Sequence, residues 1–208
     1  MRKSETVEQY IRFFKPVISE KKYKKYLKGL YNFDKGTFFH CVRVSYYSYL
    51  IGRDMDLSNE KMKDLVVGAF FHDIGKIAIS KRIVLKNGNL TDEESQIMRR
   101  HADYGYIIAG HAVDANNKPV FTEKVLKIIR FHHEKYDGTG YPNELKGKEI
   151  GLITQIVHFA DIYDALRSVR PYKEAFSVQK TSQIIKVAGK SECSVKVLKS
   201  AKNIGLIL

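Results

Sequence analysis

The chain has no tryptophan, four prolines and two cysteines among its 208 residues, and each scarcity excludes something. So little proline leaves no room for a proline-rich linker. Cys41 and Cys193 stand far apart without CxxC spacing, so neither a disulfide framework nor a thiolate metal site is written here. Long apolar runs are missing: Leu65 to Val67 and Ala69 to Phe71 are typical, against the roughly 20 residues a spanning helix needs. Met1-Arg2-Lys3 leads to Glu5 and Glu8 with no apolar stretch between, so no secretory signal is expected. The expectation is a soluble cytoplasmic protein with no membrane association.

Acid is scarce as well. Twenty-three Asp and Glu face 36 Lys and Arg, a net charge of +13. That excess suits a polyanionic ligand, and equally a well-solvated surface. Nine of the basic residues fall in residues 1–30 against three glutamates, with no aromatic or glycine-rich binding signature beside them. A solvated helical surface is the simpler account, and nucleic acid the weaker partner. With 44% apolar and 28% charged residues, the chain fits a basic helical leader (residues 1–30) packed on one domain (residues 31–208).

Apolar residues recur with a period near 3.6 almost throughout, so the expected fold is all-α, a helical bundle. Thr91 with Glu94 reads as a capping box, Ser58 opens the segment ending at Phe71, and Thr122 opens the one running to His133. Asp137-Gly138-Thr139-Gly140-Tyr141-Pro142 interrupts the pattern, and its two glycines predict a loop that uses positive φ.

Several chemistry-bearing residues fall on apolar stripes. Val125, Ile128, Ile129, His132 and His133 predict one face of one helix; Leu65, Ala69 and His72 a second, with Asp73 beside it. Ile97, His101 and Ile108 predict a third, and His40, Val44, Tyr47 and Ile51 a fourth. The fifth carries Ile153, Ile156, Val157, Ala160, Asp161 and Asp164. Taken singly, an inward histidine is more often a hydrogen-bonded core residue than a ligand. Together, unpaired inward charges on five helices would each cost several kcal/mol. Divalent cations remove that cost. A set of nitrogen and oxygen donors without thiolates suits Fe, Mn, Zn or Ni, and seven donors are too many for one ion, so two are expected, bridged by one Asp. A two-metal centre acidifies a bridging water to a hydroxide and clamps both sides of an in-line phosphoryl displacement, which points to phosphoester hydrolysis.

His72-Asp73-Ile74-Gly75-Lys76, and His132-His133-Glu134 followed by Asp137-Gly138-Thr139-Gly140-Tyr141-Pro142, resemble the HDIGK and HHE…DGxGYP signatures of the HD-GYP domain. That is the branch of the HD phosphohydrolases that degrades cyclic di-GMP. The resemblance covers about His40 to Lys173 and fades beyond about residue 188. It implies a helical HD-domain bundle with the two-metal centre in its core and the GYP loop at the site. It also implies metal ligands His40, His72, Asp73, His101, His132, His133 and Asp161, with Asp73 bridging and Fe or Mn favoured over Zn or Ni. Lys76, one helical turn beyond His72, would balance phosphate charge or protonate the leaving oxygen, and Asp73 and Lys76 would be the catalytic pair. Tyr141, packing on a base, would bind substrate with Arg170, Lys173, Gly138 and Gly140, while Asp164 would orient a ligand. The implied activity is hydrolysis of cyclic di-GMP to pGpG, with onward hydrolysis to GMP left open, and there are two alternatives. One is a catalytically weak receptor for cyclic dinucleotides, or a docking partner of GGDEF-type diguanylate cyclases. The other is an enzyme for 3′3′-cGAMP.

Three positions depart from the family. Gly36 stands where members with three metals carry a glutamate, Gln155 where many have an arginine, and Ser80 where a proline is usual. Gly36 is the reason to expect two metals. His111 and His158 are left over, with structural or exposed roles expected for both.

Overall fold

The structure, a computed structural model, describes residues 3–168 and 174–208. Arg170 and Lys173 therefore lie outside the described residues. Eleven α-helices and no strand are found among them, as the apolar periodicity requires. They are α1 (Lys3–Ile18), α2 (Lys24–Phe33), α3 (Lys35–Asp54), α4 (Asn59–Phe71), α5 (Lys81–Val84), α6 (Asp92–Arg99), α7 (His101–Gly110), α8 (Glu123–Phe131), α9 (Leu152–Arg167), α10 (Val178–Glu192) and α11 (Val195–Asn203).

Side-chain caps set where many of them begin. Ser58 accepts from the Lys61 amide at α4 and Thr122 from the Val125 amide at α8, while Thr91 and Glu94 form a reciprocal capping box at α6. Asp34 caps α3 by accepting from the Thr37 amide at 2.6 Å. This carboxylate is therefore engaged at the helix start, and Gly36 follows it in the first turn. Ser80 caps the short α5, which accounts for its place in the sequence.

The centre of the bundle is α3 packed against α4 and α9, with α8 on α4 and α7 on α8. Leu65, Phe70, Phe71, Ile128, Ile129 and Ile156 are fully buried there. The N-terminal segment joins the same core: Tyr10 packs on Phe14, Tyr46 and Tyr49, Tyr23 on Phe71 and Phe121, and Leu30 has no exposed surface. At the other end, Cys193, Val197 and Ala201 close the core from α10 and α11.

Three expected stripes are broken by helix ends. α4 stops at Phe71, so Lys76 lies not one α-helical turn beyond His72 but in a 3-10 turn, Ile74–Ala78. α8 stops at Phe131, and His132 and His133 follow it rather than extend it. Ile97 and His101 do not share a helix: α6 ends at Arg99, Ile97 is 40% exposed, and His101 begins α7. In each case the ligand-type residue sits at a helix terminus.

Candidate metal centre

Backbone carbonyls three residues back orient three of the histidines. The Nδ1 of His72 bonds the Ala69 carbonyl at 2.7 Å, that of His101 the Met98 carbonyl at 2.6 Å, and that of His132 the Ile129 carbonyl at 2.8 Å. A carbonyl only accepts, so Nδ1 carries the proton and each Nε2 presents a lone pair inward. The lone pairs of His72 and His132 then lack donors, and that of His101 has only the His133 ring to donate to it. His101 Nε2 is 3.2 Å from His132 Nε2 and 3.1 Å from His133 Nε2, and His72 Nε2 is buried with no hydrogen-bond partner. Lone pair facing lone pair is repulsive, and a buried unpaired acceptor is costly. A cation at the convergence removes both penalties, so these residues fit a metal.

The donors form two groups, His40 with His72 and Asp73, and His101 with His132 and His133. Asp73 joins them. Its Oδ2 lies 3.6 Å from His40 Nε2 and 3.5 Å from His72 Nε2, while its Oδ1 lies 3.4 Å from His101 Nε2. Asp161, one α9 turn before Asp164, brings Oδ1 to 3.1 Å from His40 Nε2 and 4.0 Å from His72 Nε2. The approach of Asp73 to His101 depends on Gly75: a Cβ there would lie 1.9 Å from the His101 carbonyl oxygen. Without a side chain, the 3-10 turn lies directly on α7.

Protonation follows from burial and charge. Burial pulls His72 and His101 below the usual histidine value, and His132 and His133 well below it, so all four are neutral donors. Burial alone would raise Asp73 and Asp161. Lys76 with the facing histidines overcomes it for Asp73, and His40 does so for Asp161, so both carboxylates are held well below their ordinary range. His40 is the exception. Burial would depress it, but Asp161 and Asp164 outweigh that and raise it to about 9, so its Nε2 calls for a positive charge, either a proton or a metal ion.

Asp164 is fully buried and holds His40 from behind: Oδ2 is 2.7 Å from His40 Nδ1, and Arg43 donates to both of its oxygens at 2.7 and 3.0 Å. Lys76 Nζ donates to Asp73 Oδ2 at 2.5 Å, with 23% of its side chain exposed. Together with Asp161 at 18% and His40 at 13%, it marks the side of the centre open to solvent.

The loop after His133 is shaped by three devices. Gly138 has φ +89°, as expected of the loop, whereas Gly140 needs its missing side chain for another reason: a Cβ would lie 2.3 Å from the Lys135 amide nitrogen. Glu134, buried, accepts from the Asn143 amide at 2.7 Å and the Leu145 amide at 3.0 Å, so it fastens the loop instead of ligating. Tyr141 stacks on His133 at 4.7 Å with the Arg99 guanidinium 5.0 Å over its ring, so the expected packing of a base on it meets a ring already engaged twice.

Sequence reasoning missed Arg43, Arg99 and Glu134 as parts of this site; Arg43, one turn after His40 on α3, was legible by spacing. His111 caps α7 and bonds the Ile107 carbonyl. His158 is structural and buried, bonded to the His132 carbonyl at 2.7 Å and Glu192 at 2.9 Å. Gln155 donates to the Ile150 carbonyl at 2.6 Å, a backbone contact with no part in the ligand clusters.

Imidazoles and carboxylates gathered from five places in a helical core around a His-Asp pair define the class: the chain belongs to the HD domain family, whose model matches residues 20–192. That match takes in residues 20–30 as well. The chain is 40% identical over 146 residues to the cyclic di-GMP phosphodiesterase response regulator RpfG of Xanthomonas campestris, across 70% of this chain and 37% of that protein. It is 38% identical over 146 residues to 3′3′-cGAMP-specific phosphodiesterase 3 of Vibrio cholerae, across 70% of this chain and 30% of that one. The chain thus spans between 25% and 37% of the length of curated relatives it matches. Among solved structures it resembles Bd1817, an HDGYP protein of Bdellovibrio bacteriovorus, with TM-score 0.64 and 20% identity over 81% of this chain and 52% of that one, a likeness of fold.

Proposed function

We propose that this chain is a metal-dependent phosphodiesterase that opens cyclic di-GMP to pGpG, the ratio of pGpG to GMP showing whether the linear product is processed further. The observation that supports it most is Asp73, whose two oxygens face two separate histidine groups beside the partly exposed Lys76. The ligands are His40, His72, Asp73, His101, His132, His133 and Asp161, holding two divalent ions, Fe or Mn before Zn or Ni. When bound, such ions supply Lewis-acid stabilisation of the phosphoryl oxygens and an acidified water.

The chain's own residues do the rest. Lys76, kept protonated because Asp73 outweighs its burial, faces the open side, where it neutralises phosphate charge and protonates the leaving 3′ oxygen. Asp164 and Arg43 hold His40 in one orientation. Tyr141 keeps His133 in place, and Gly138 and Gly140 let the loop close against it. Arg170 and Lys173 are proposed phosphate or base contacts on the signature alone.

A second reading, 3′3′-cGAMP as substrate, is favoured by the similarity to a phosphodiesterase named for it. The proposed setting is the cytoplasm; no helix among the described residues is long and apolar enough to cross a membrane. The loop from Asp137 to Pro142 is the proposed docking surface for GGDEF-type cyclases.

Incubation of reduced protein with cyclic di-GMP and Mn or Fe(II), followed by ion-pair chromatography against an EDTA control, tests the reading. Metal-dependent pGpG is expected. No product from protein that binds the nucleotide and holds both metals overturns it in favour of the receptor.

A further inference from the structure

Beside the metal centre, between α9 and α10, lies a cavity of about 380 Å³ that the ligand geometry does not use. Its near wall is formed by His133, Asp161 and Tyr141, so it opens directly onto the metal ligands. Ile162, Leu166 and Ile185 make the body apolar, and Ala188 leaves the space by being small. Volume and lining fall in the range of small-molecule pockets, mostly apolar with a few placed polar groups.

The polar groups are Glu192 and Lys135, which also line the cavity. Glu192 Oε1 is 2.9 Å from Lys135 Nζ, and Oε2 is 2.9 Å from His158 Nε2. The His158 hydrogen bond, with Lys135 behind it, outweighs burial and holds the Glu192 carboxyl below its ordinary range, so it is an anion. Each carboxylate oxygen keeps a further lone pair, and Lys135 keeps further protons. The backbone fixes the pair: the Tyr136 amide bonds the Glu192 carbonyl at 3.1 Å, and the Asp137 amide the Ser191 carbonyl at 2.9 Å. The end of α10 is thereby tied to the loop that follows His133.

We propose that this cavity holds one guanine base of a bound nucleotide, with Glu192 accepting from its N1–H and 2-amino group and Lys135 donating to its O6. This rests on the reading that the phosphodiester lies at the metal centre. A flat purine suits an apolar slot between two helices, and a carboxylate at the end of the slot requires adjacent donors. Guanine offers two side by side. Adenine sets its N1 lone pair against the anion and leaves it unpaired, the arrangement by which polar sites discriminate most strongly. Reading one base also makes a specificity statement: cyclic di-GMP and the mixed guanine–adenine dinucleotide both satisfy the pocket, and cyclic di-AMP does not.

Calorimetric titration of the metal-loaded protein with GMP and with AMP tests this, using wild type, Glu192→Gln and Ala188→Leu, with metal content measured for each. Wild type is expected to bind GMP at least about tenfold tighter than AMP. Glu192→Gln should collapse that ratio, because an amide places a donor against guanine's donors, and Ala188→Leu should weaken both nucleotides by filling the slot. Equal affinity of wild type for GMP and AMP overturns the proposal, as does an unchanged ratio in Glu192→Gln. Should Glu192→Gln lose metal, Ala188→Leu decides, and unaltered GMP affinity there overturns it. Turnover of cyclic di-GMP without GMP preference rejects the pocket and keeps the phosphodiesterase. GMP preference without turnover does the reverse.

Discussion

Asp164 meets His40 across the bundle, its Oδ2 2.7 Å from the histidine's Nδ1, while Arg43 occupies the other side of the same carboxylate. The pair joins α9 to α3 and leaves only the Nε2 of His40 free to face the ligand cluster. Asp164→Asn keeps the shape but removes the charge. Metal affinity is expected to fall about 10- to 100-fold, with little change in helix content. Metal titration followed by circular dichroism checks this; an unaltered metal affinity would remove Asp164 from the site.

Asp73 and Lys76 touch at 2.5 Å, yet their substitutions should separate. Asp73→Ala is expected to lose bound metal and all turnover, as is His72→Ala. Lys76→Ala should keep its metal and lose about 10²- to 10⁴-fold in rate, the usual reach of a general acid. Metal analysis beside steady-state rates distinguishes the two, and an active Asp73→Ala protein would sink the two-metal mechanism.

Gly75 tests packing instead of chemistry. A Cβ placed 1.9 Å from the His101 carbonyl must push the 3-10 turn off α7. Gly75→Ala is expected to cost about 1–3 kcal/mol and to separate Asp73 from His101, lowering metal content as well as stability. Chemical denaturation and metal analysis of the same sample provide the check.

With metal stripped by EDTA, stability should depend on pH in a set direction. His72, His101, His132 and His133 are depressed in the fold, so the unfolded chain takes up protons first as pH falls through about 6.5, and stability drops on that side. His40, raised to about 9, contributes stability below about 6.5 that is lost as pH climbs through 9. A maximum near neutrality is expected in thermal melts across pH 5–10, and a curve still rising above pH 9 would contradict the His40 assignment.

Residue type and signature spacing made the candidate residues of the centre legible, whereas periodicity held only for His40 on α3 and for Asp161 and Asp164 on α9; His72, His101, His132 and His133 fall at helix ends. The caps at Ser58, Thr91 and Thr122 were legible for the same local reason, since a side chain and an amide three residues on decide them. Periodicity overran the helix ends at Phe71, Arg99 and Phe131 because apolar spacing persists past the point where tertiary contacts turn the chain.

From the sequence alone came an all-helical fold, the candidate donor residues and the HD and GYP signatures, all properties of residue type and near-neighbour spacing. Only the tertiary structure decided which imidazole nitrogen faces inward, that Asp73 spans two groups, that Glu134 fastens a loop, and that Glu192 meets Lys135 across 57 positions. Those outcomes depend on helix ends, on a turn that only glycine can bring against its neighbour, and on contacts between distant segments. Local periodicity carries no information about which distant segments will meet, because that is settled by how the whole core packs.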